Sequence, residues 1–388
     1  MKDETEGKSV SAVPSARPRK PCAIYVITKH GYKHGRKLKD AWPEADLYVS
    51  AKVAPEGASD IIRCALPLTP LLTAEFTHYD CHIFVISVGA VVRMVAPFLV
   101  DKKVDPAVVC VDDVGRFAIA LLSGHVGRGN EWTDRVASVL GAQAVITTAS
   151  DVQGTLTVDI LGRAVGWTLD DHDRLVTLGC AAVVNERPVL IVQETGEPNF
   201  WPLDRAWPPG VHYRRDWEGI DLSAWEMLLV VSDRDIARIH PDAYKKTIIY
   251  RPKSLVLGIG CDRGIPMDVL ERGIQATLDE FQLSWKSIAG IASIDLKADE
   301  EGLIALCAKH RWSFKVYPAA ELDAARGIVS PSERVKGFTG TRSVSEAACL
   351  IAAAAEELLV VKQKYRESET PQAMTVAIAR RSYPERAQ

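Results

Sequence analysis

Phe117-Ala118-Ile119-Ala120-Leu121-Leu122, then Ser123-Gly124-His125-Val126-Gly127-Arg128-Gly129-Asn130, then Glu131 to Leu140, pass from an apolar run through a glycine-rich loop into an amphipathic segment. The first six residues read as a buried strand. Trp132, Val136, Val139 and Leu140 recur at helical spacing, and Gly141 stands where a left-handed residue commonly ends a helix. Strand, glycine loop and helix form the repeating unit of an α/β layer. The neighbouring sequence continues it. Val108 to Val111 is a second β-like run, joined to Phe117 by the hairpin signal Asp112-Asp113-Val114-Gly115. Ile83 to Val88 is a buried strand leading through Gly89 into a helix expected to present Val92, Val95, Ala96 and Leu99 on one face. Ala23 to Thr28 reads as a strand, His30-Gly31 as a turn, and Leu47-Tyr48-Val49 and Ala144 to Thr147 as further strands. A polar helix bearing Leu38 and Trp42 is expected after the turn.

A chain of 388 residues implies two or three domains, at roughly 100–200 residues each. The expected architecture is multi-domain α/β, with N-terminal and C-terminal α/β layers joined by a smaller central domain. Its expected parts are a disordered tail at 1–20, an N-terminal domain at 21–151, a central domain at 152–251 and a C-terminal domain at 252–380. In the central part, helical stretches are expected at 156–167 and 172–184, then strands at Val189 to Val192 and Met227 to Val231. Between the strands lies an excursion rich in Trp and Pro, whose tryptophans could stack a planar ligand or anchor the loop. Beyond Arg251-Pro252, Leu255 to Gly260 reads as a strand and Pro266 opens a helix carrying Leu270, Ile274, Leu278 and Phe281. A strand (288–294), a helix (299–310) and a strand (314–317) follow. Ser343-Val344-Ser345-Glu346 has the form of a capping box opening a long last helix, and Met374 to Ala379 is a final strand.

Composition narrows the function classes. With 47% hydrophobic and 25% charged residues and a formal net charge of −3, the chain lacks the basic excess of a general nucleic-acid binder. No apolar run approaches the ~20 residues that span a bilayer, and the polar start has no apolar signal core. No membrane partner and a cytoplasmic location are expected. The eight cysteines are scattered without a C-x-x-C pair and read as small buried hydrophobes in a reducing compartment.

The loop at 123–130 carries the chemistry-bearing pattern. Backbone N–H groups at a helix start can hold a carboxylate or phosphate, glycines permit close approach, and His125 titrates near neutral pH. The same residues would also make a glycine-lined turn with a surface histidine. Gly258-x-Gly260-x-x-x-Gly264 misses the dinucleotide fingerprint by one residue and lacks its acidic partner, which favours an anion-binding or tight-packing turn. Lys336-Gly337-Phe338-Thr339-Gly340-Thr341 lacks a Walker ending. His78-x-x-x-His82 and His30-x-x-x-His34 have metal spacing only on a helix, and neither sits on one by pattern, so no protein metal site is expected. There is no G-x-S-x-G elbow.

Four segments together resemble one family. They are Ser87 to Pro97, Lys102 to Val109, Leu121-Leu122-Ser123-Gly124-His125 and Ile146-Thr147-Thr148-Ala149-Ser150-Asp151. The C-terminal Gly258-Ile259-Gly260-Cys261, Pro331-Ser332-Glu333 and Ser343 to Ala348 agree with them. This set is similar to the cobalt-precorrin-5A hydrolases, the CbiG proteins of anaerobic cobalamin biosynthesis, over about 21–380. Where that family usually reads Gly-Gly-Ala-Asn, this chain has Gly127-Arg128-Gly129-Asn130, and where it has Ala-Thr-Asp, this chain has Ala149-Ser150-Asp151.

The resemblance implies opening of the δ-lactone of cobalt-precorrin-5A with release of acetaldehyde, giving cobalt-precorrin-5B. It implies no cofactor beyond the cobalt carried in the substrate, and transient contact with neighbouring pathway methyltransferases. On it, His125 is assigned as general base, with Asp151 and Asp113 as alternatives, and Asn130 with the backbone of Gly124 and Gly127 as oxyanion donors. Arg93, Lys103 and Arg128 are assigned as carboxylate clamps, with Gly260 and Ser343 as further substrate contacts. Two other classes stay open at this point. One is a non-catalytic carrier of corrinoid intermediates, which would release no acetaldehyde. The other is a nucleotide-dependent oxidoreductase, which would bind NAD(P).

Overall fold

Along the first strand, Cys22, Ala23, Ile24, Tyr25 and Val26 are all buried, so the sheet they belong to is covered on both faces. The computed structural model describes residues 19–170, 173–202, 204–369 and 371–383. The expected tail at 1–20 lies outside the described residues except for Arg19 and Lys20, and Lys20 already opens a strand. The chain divides into two compact units, 1–154 and 155–388.

The first unit contains β1 (Lys20–Val26), α1 (Lys29–Ala41), β2 (Asp46–Ser50), β3 (Ile62–Cys64), α2 (Thr69–Glu75), β4 (Tyr79–Val85) and α3 (Val88–Val95). It continues with β5 (Ala107–Val111), β6 (Phe117–Leu122), α4 (Gly129–Leu140), β7 (Gln143–Val145) and α5 (Ala149–Val152). One seven-stranded sheet results, ordered β3-β2-β1-β4-β5-β6-β7. β1 to β5 are mutually parallel, β6 turns back antiparallel to β5 at the expected hairpin, and β7 is parallel to β6. Cys22, Ile24 and Val26 pack with Leu38, Trp42, Trp132 and Val136 on one face, while Ala23 and Tyr25 pack with Leu72, Phe76, Val91 and Val95 on the other. This period-two division is what a doubly covered strand requires.

Two local expectations change here. Gly31 does not interrupt α1: Thr28 caps the helix by accepting the Gly31 N–H. A Cβ on Gly31 would sit 2.9 Å from Thr28 Oγ1 and 3.2 Å from Val85 Cγ1, so the glycine is there for close helix–sheet contact. Helix α3 buries Val91 and Val95, whereas Val92 and Leu99 are exposed. It ends at Val95 because Pro97 lacks the donor to continue it. His82 is a fully buried packing histidine, bonded to Tyr25 and to the Phe76 carbonyl, and burial pushes its pKa down to about 4.

The second unit holds two five-stranded sheets. The first comprises β8 (Thr168–Asp170), α6 (Asp173–Val184), β9 (Val189–Gln193), β10 (Val211–Arg214), β11 (Met227–Val231), α7 (Ile236–Ile239), α8 (Pro241–Tyr244) and β12 (Thr247–Arg251). Its order is β10-β9-β11-β12-β8, with only β8 antiparallel. The helix expected at 156–167 is replaced by two short 3-10 turns, because Gly162 and Gly166 adopt φ of +71° and +85°. Trp201, Trp207 and Tyr213 stack at 5.1 and 5.5 Å, which anchors the excursion to the sheet.

The last sheet comprises β13 (Leu255–Cys261), α9 (Met267–Glu280), β14 (Ile288–Ile294), α10 (Glu301–His310), β15 (Ser313–Tyr317) and α11 (Ala319–Asp323). It ends with α12 (Glu333–Thr339), α13 (Ser345–Ala353), β16 (Val360–Arg366) and β17 (Ala373–Arg380), in the order β15-β14-β13-β17-β16. Gly258 and Gly260 lie inside β13 and not in a turn. A Cβ on Gly258 would fall 1.7 Å from the Ser345 carbonyl oxygen, so the glycine admits α13 onto the strand. The expected capping box is absent. Val344 precedes α13 with no side-chain cap, and the fully buried Glu346 accepts instead from the Val329, Ser330 and Lys362 backbone N–H groups.

Candidate active site

The β6–α4 loop folds tightly on itself. Gly129 and Asn130 donate their N–H groups back to the Ser123 and Gly124 carbonyls, at 2.9 and 3.0 Å. The Gly129 and Asn130 N–H groups are therefore satisfied within the loop and are not open to an anion. A Cβ on Gly129 would lie 2.6 Å from the Leu122 carbonyl oxygen, which explains a glycine there. Gly124 and Gly127 are different: no acceptor for either N–H is found among the described residues.

The fold brings this loop beside α5, because β6 and β7 run parallel and end at the same edge of the sheet. His125 Nε2 lies 2.8 Å from Asp151 Oδ2 and 3.1 Å from Ser150 Oγ. Asn130 Nδ2 donates to the same Asp151 oxygen at 2.8 Å and to Thr148 Oγ1 at 2.7 Å. Asn130 and Ser150 are buried, and the His125 side chain is 15% exposed. With an ionised Asp151, Nε2 must carry the proton, which places the imidazole lone pair on Nδ1. Asn130 thus orders the carboxylate that orders the histidine. Ser150 and Thr148 were given no role by the sequence reading, although both stand in the Ile146–Asp151 segment that carries the resemblance.

Lys103, Gly127 and Arg128 meet in a cavity of about 390 Å³ beside the loop, together with Arg19, Arg135 and Asp105. Arg128 pairs with Glu131 at 2.7 Å. Arg93 belongs elsewhere. Its helix α3 starts beyond the carboxyl end of β4, while Leu122 pairs with Val108 at the amino end of β5. The Arg93 guanidinium turns back to the Gly89 carbonyl at 2.9 Å, so it is not brought to His125. Asp113 also lies at that other edge, in the β5–β6 turn, where it accepts a hydrogen bond from Thr28.

Gly260 and Ser343 lie in the second unit and line a cavity of about 950 Å³ at the end of β13. Ser343 is 1% exposed, and its hydroxyl has no partner among the described residues. Among the described residues no group of three or more His, Cys, Asp or Glu side chains could hold a metal ion, and no helix is long and apolar enough to cross a membrane.

Three family models match in succession: Cobalamin synthesis G N-terminal at 70–151, Cobalamin biosynthesis central region at 156–252 and Cobalamin synthesis G C-terminus at 255–379. A cobalt-precorrin-5A hydrolase from Priestia megaterium is 39% identical over 344 residues, covering 88% of this chain and 91% of that protein. One from Salmonella typhimurium is 32% identical over 329 residues, covering 83% and 89%. A solved structure of a cobalamin biosynthesis protein G homolog from Sulfolobus solfataricus is 19% identical, covers 93% of this chain and 97% of its own, and has a TM-score of 0.35. On the three matching models and the two hydrolases, the chain belongs to the cobalt-precorrin-5A hydrolase, or CbiG, family.

Proposed function

We propose that this chain hydrolyses cobalt-precorrin-5A, opening its δ-lactone and releasing acetaldehyde to give cobalt-precorrin-5B, with His125 as the general base. The observation that carries the assignment of the base is the 2.8 Å contact of His125 with Asp151, held in turn by Asn130. Asp151 fixes the Nε2–H tautomer, so Nδ1 is the atom that takes the proton from the attacking water. The oxygen of that water bonds to the lactone carbonyl carbon, and the resulting oxyanion accepts from the Gly124 and Gly127 N–H groups. Collapse breaks the ring C–O bond, and the proton on His125 passes to the departing oxygen. His125, neutral again, takes that hydroxyl proton back as the C–C bond breaks, which forms acetaldehyde and leaves the bonding electron pair on the macrocycle. Asn130 acts here by positioning Asp151 and not as an oxyanion donor, since its amide protons are given to Asp151 and Thr148.

Lys103 and Arg128 are proposed to meet substrate carboxylates beside the loop, and Gly260 and Ser343 to meet substrate in the second unit. The cobalt belongs to the substrate, and the proposal requires no further cofactor. Transient contact with neighbouring methyltransferases and a cytoplasmic location form part of the same reading. The test is single-turnover acetaldehyde release, measured by coupled NADH oxidation, from purified cobalt-precorrin-5A. His125→Ala is expected to lose nearly all release while still binding substrate. Near-normal release by that variant would remove His125 as the base, and no release by the unaltered protein would remove the hydrolase reading.

A further inference from the structure

The 950 Å³ cavity of the C-terminal sheet is lined by five cations, Lys297, Arg334, Lys362, Lys364 and Arg366, against one carboxylate, Asp262. Three of the five come from one strand. Lys364 and Arg366 alternate along the regular part of β16, so their side chains leave the same face of the strand, while Lys362 sits in the irregularity between Val360 and Gln363. Lys362 is tied to the Ser330 carbonyl and Lys297 to Glu300. Arg334, Lys364 and Arg366 have no carboxylate partner among the described residues. Two buried hydroxyls in the lining, those of Ser343 and Ser345, each 1% exposed, also have no partner. They stand at the start of α13, a nine-residue helix with no side-chain cap. Beside these polar groups lie Val335, Met374 and Phe338, the last 79% exposed.

Charged residues on an edge strand can simply guard it against pairing with other chains. That role accounts for exposed lysines, but not for buried hydroxyls without partners next to a cavity. Nor does it require the cations to converge from both β16 and α12. Ligand pockets run to roughly 300–1,000 Å³, so this one is large for an inorganic anion or a small acid. Converging cations with an apolar wall suit a broad, flat molecule with several carboxylates on its rim.

We propose that this cavity is a binding site for a polycarboxylate tetrapyrrole. Arg334, Lys364 and Arg366 take rim carboxylates, the Ser343 and Ser345 hydroxyls donate to one that reaches the start of α13, and Phe338 covers a ring face. The choice of macrocycle rests on the hydrolase reading; the polyanion site rests on the cavity. The probe is dicyanocobyrinic acid, a stable corrin polycarboxylate, titrated by absorbance into the full-length protein, with its fully methyl-esterified form as the uncharged control. Arg334→Gln, Lys364→Gln and Arg366→Gln together are expected to raise Kd by on the order of tenfold or more and to flatten its salt dependence. Lys364→Gln alone gives a smaller rise, and Arg187→Gln, an exposed cation on the central sheet's side of the unit, gives none. Melting temperature and gel-filtration volume check that each variant folds and stays in its native oligomeric state. Equal affinity of the triple variant and the unaltered protein would overturn the proposal, as would equal binding of acid and ester. Acetaldehyde release reports separately: His125→Ala that binds the probe normally but is inactive supports both readings. An inactive unaltered protein that still loses probe binding in the triple variant rejects the hydrolase and keeps the site.

Discussion

Arg128 occupies a backbone conformation that ordinarily selects glycine, with φ of +65° just before α4. An arginine there carries backbone strain that a glycine would not. A left-handed L-residue costs ~1–2 kcal/mol, more than the ~0.4–1 kcal/mol by which glycine loosens the unfolded chain. The ion pair with Glu131 is 62% and 48% exposed and offsets little. Arg128→Gly is therefore expected to stabilise the first unit by about 0.5–1 kcal/mol in urea unfolding. The same variant separates the two roles of the side chain: a clamp raises KM when removed, and a bystander leaves KM alone. At Asp151 the expectation concerns kcat. Asp151→Asn no longer enforces the tautomer of His125, so kcat should fall by on the order of 10²–10⁴ with KM nearly unchanged. An unchanged kcat would detach Asp151 from the proposed chemistry. His125 was legible from the sequence because histidine between glycines is conspicuous. The role of Asn130 was not, because nothing in its spacing shows that Asp151, 21 residues on, receives its amide proton.

Helix α13 shows how an element can satisfy a sequence pattern and use it differently. Ser343 and Glu346 have capping-box spacing, yet the helix starts at Ser345 and Glu346 faces inward. Its Oε2 accepts from Val329 and Ser330 N–H at 3.0 and 2.8 Å, and its Oε1 from Lys362 N–H at 3.1 Å. The side chain thus joins the segment before α12 to strand β16. Glu346→Ala would strand three backbone donors, at ~1–3 kcal/mol each where they stay buried, so a loss of about 3 kcal/mol or more is expected in chemical denaturation. Glu346→Gln keeps one oxygen and should lose less. If Ala and Gln behaved alike and cost little, the clamp would be incidental. The strands that sequence placed best, Met227 to Val231 and Leu255 to Gly260, are continuous apolar runs buried along nearly their whole length, whereas the run expected at Ile83 to Val88 ends at Val85, and Val88 already opens α3. β16 escaped because Val360-Val361-Lys362-Gln363-Lys364-Tyr365-Arg366 is an edge strand whose polar alternation lacks an apolar signature. The 156–167 stretch misled for the opposite reason: its apolar spacing is helical, and two positive-φ glycines break it.

At the scale of the molecule, the second unit is held together by charges that connect its two sheets. Asp233, fully buried after β11, receives a two-point contact from Arg380 of β17 at 2.8 Å each and a hydrogen bond from Ser254 at 2.7 Å. Asp170 of β8 accepts from Arg251 at 2.7 Å and also from Lys286, which precedes β14. Sequence reading set a boundary near Arg251-Pro252 but could not show that carboxylates on one side grip cations on the other, since those partners are 116 and 147 residues apart. Burial alone would raise the Asp170 pKa; the hydrogen bonds from Lys286 and Arg251 outweigh it and hold the carboxyl below its ordinary range. A carboxyl whose folded pKa is lowered adds stability above its unfolded pKa of ~3.9, and that stability fades as pH falls through the lower folded value. Asp170→Asn should therefore unfold more readily than the unaltered protein at pH 6 to 8, by an amount that is flat across that range. Below about pH 4 the difference should shrink as the native carboxylate takes up its proton. Parallel urea titrations of the two proteins from pH 3 to 8 measure this difference directly. A gap that stayed constant down to pH 3 would mean that Asp170 acts through shape and not through charge, and its ion pair with Lys286 would then contribute nothing to joining the two sheets.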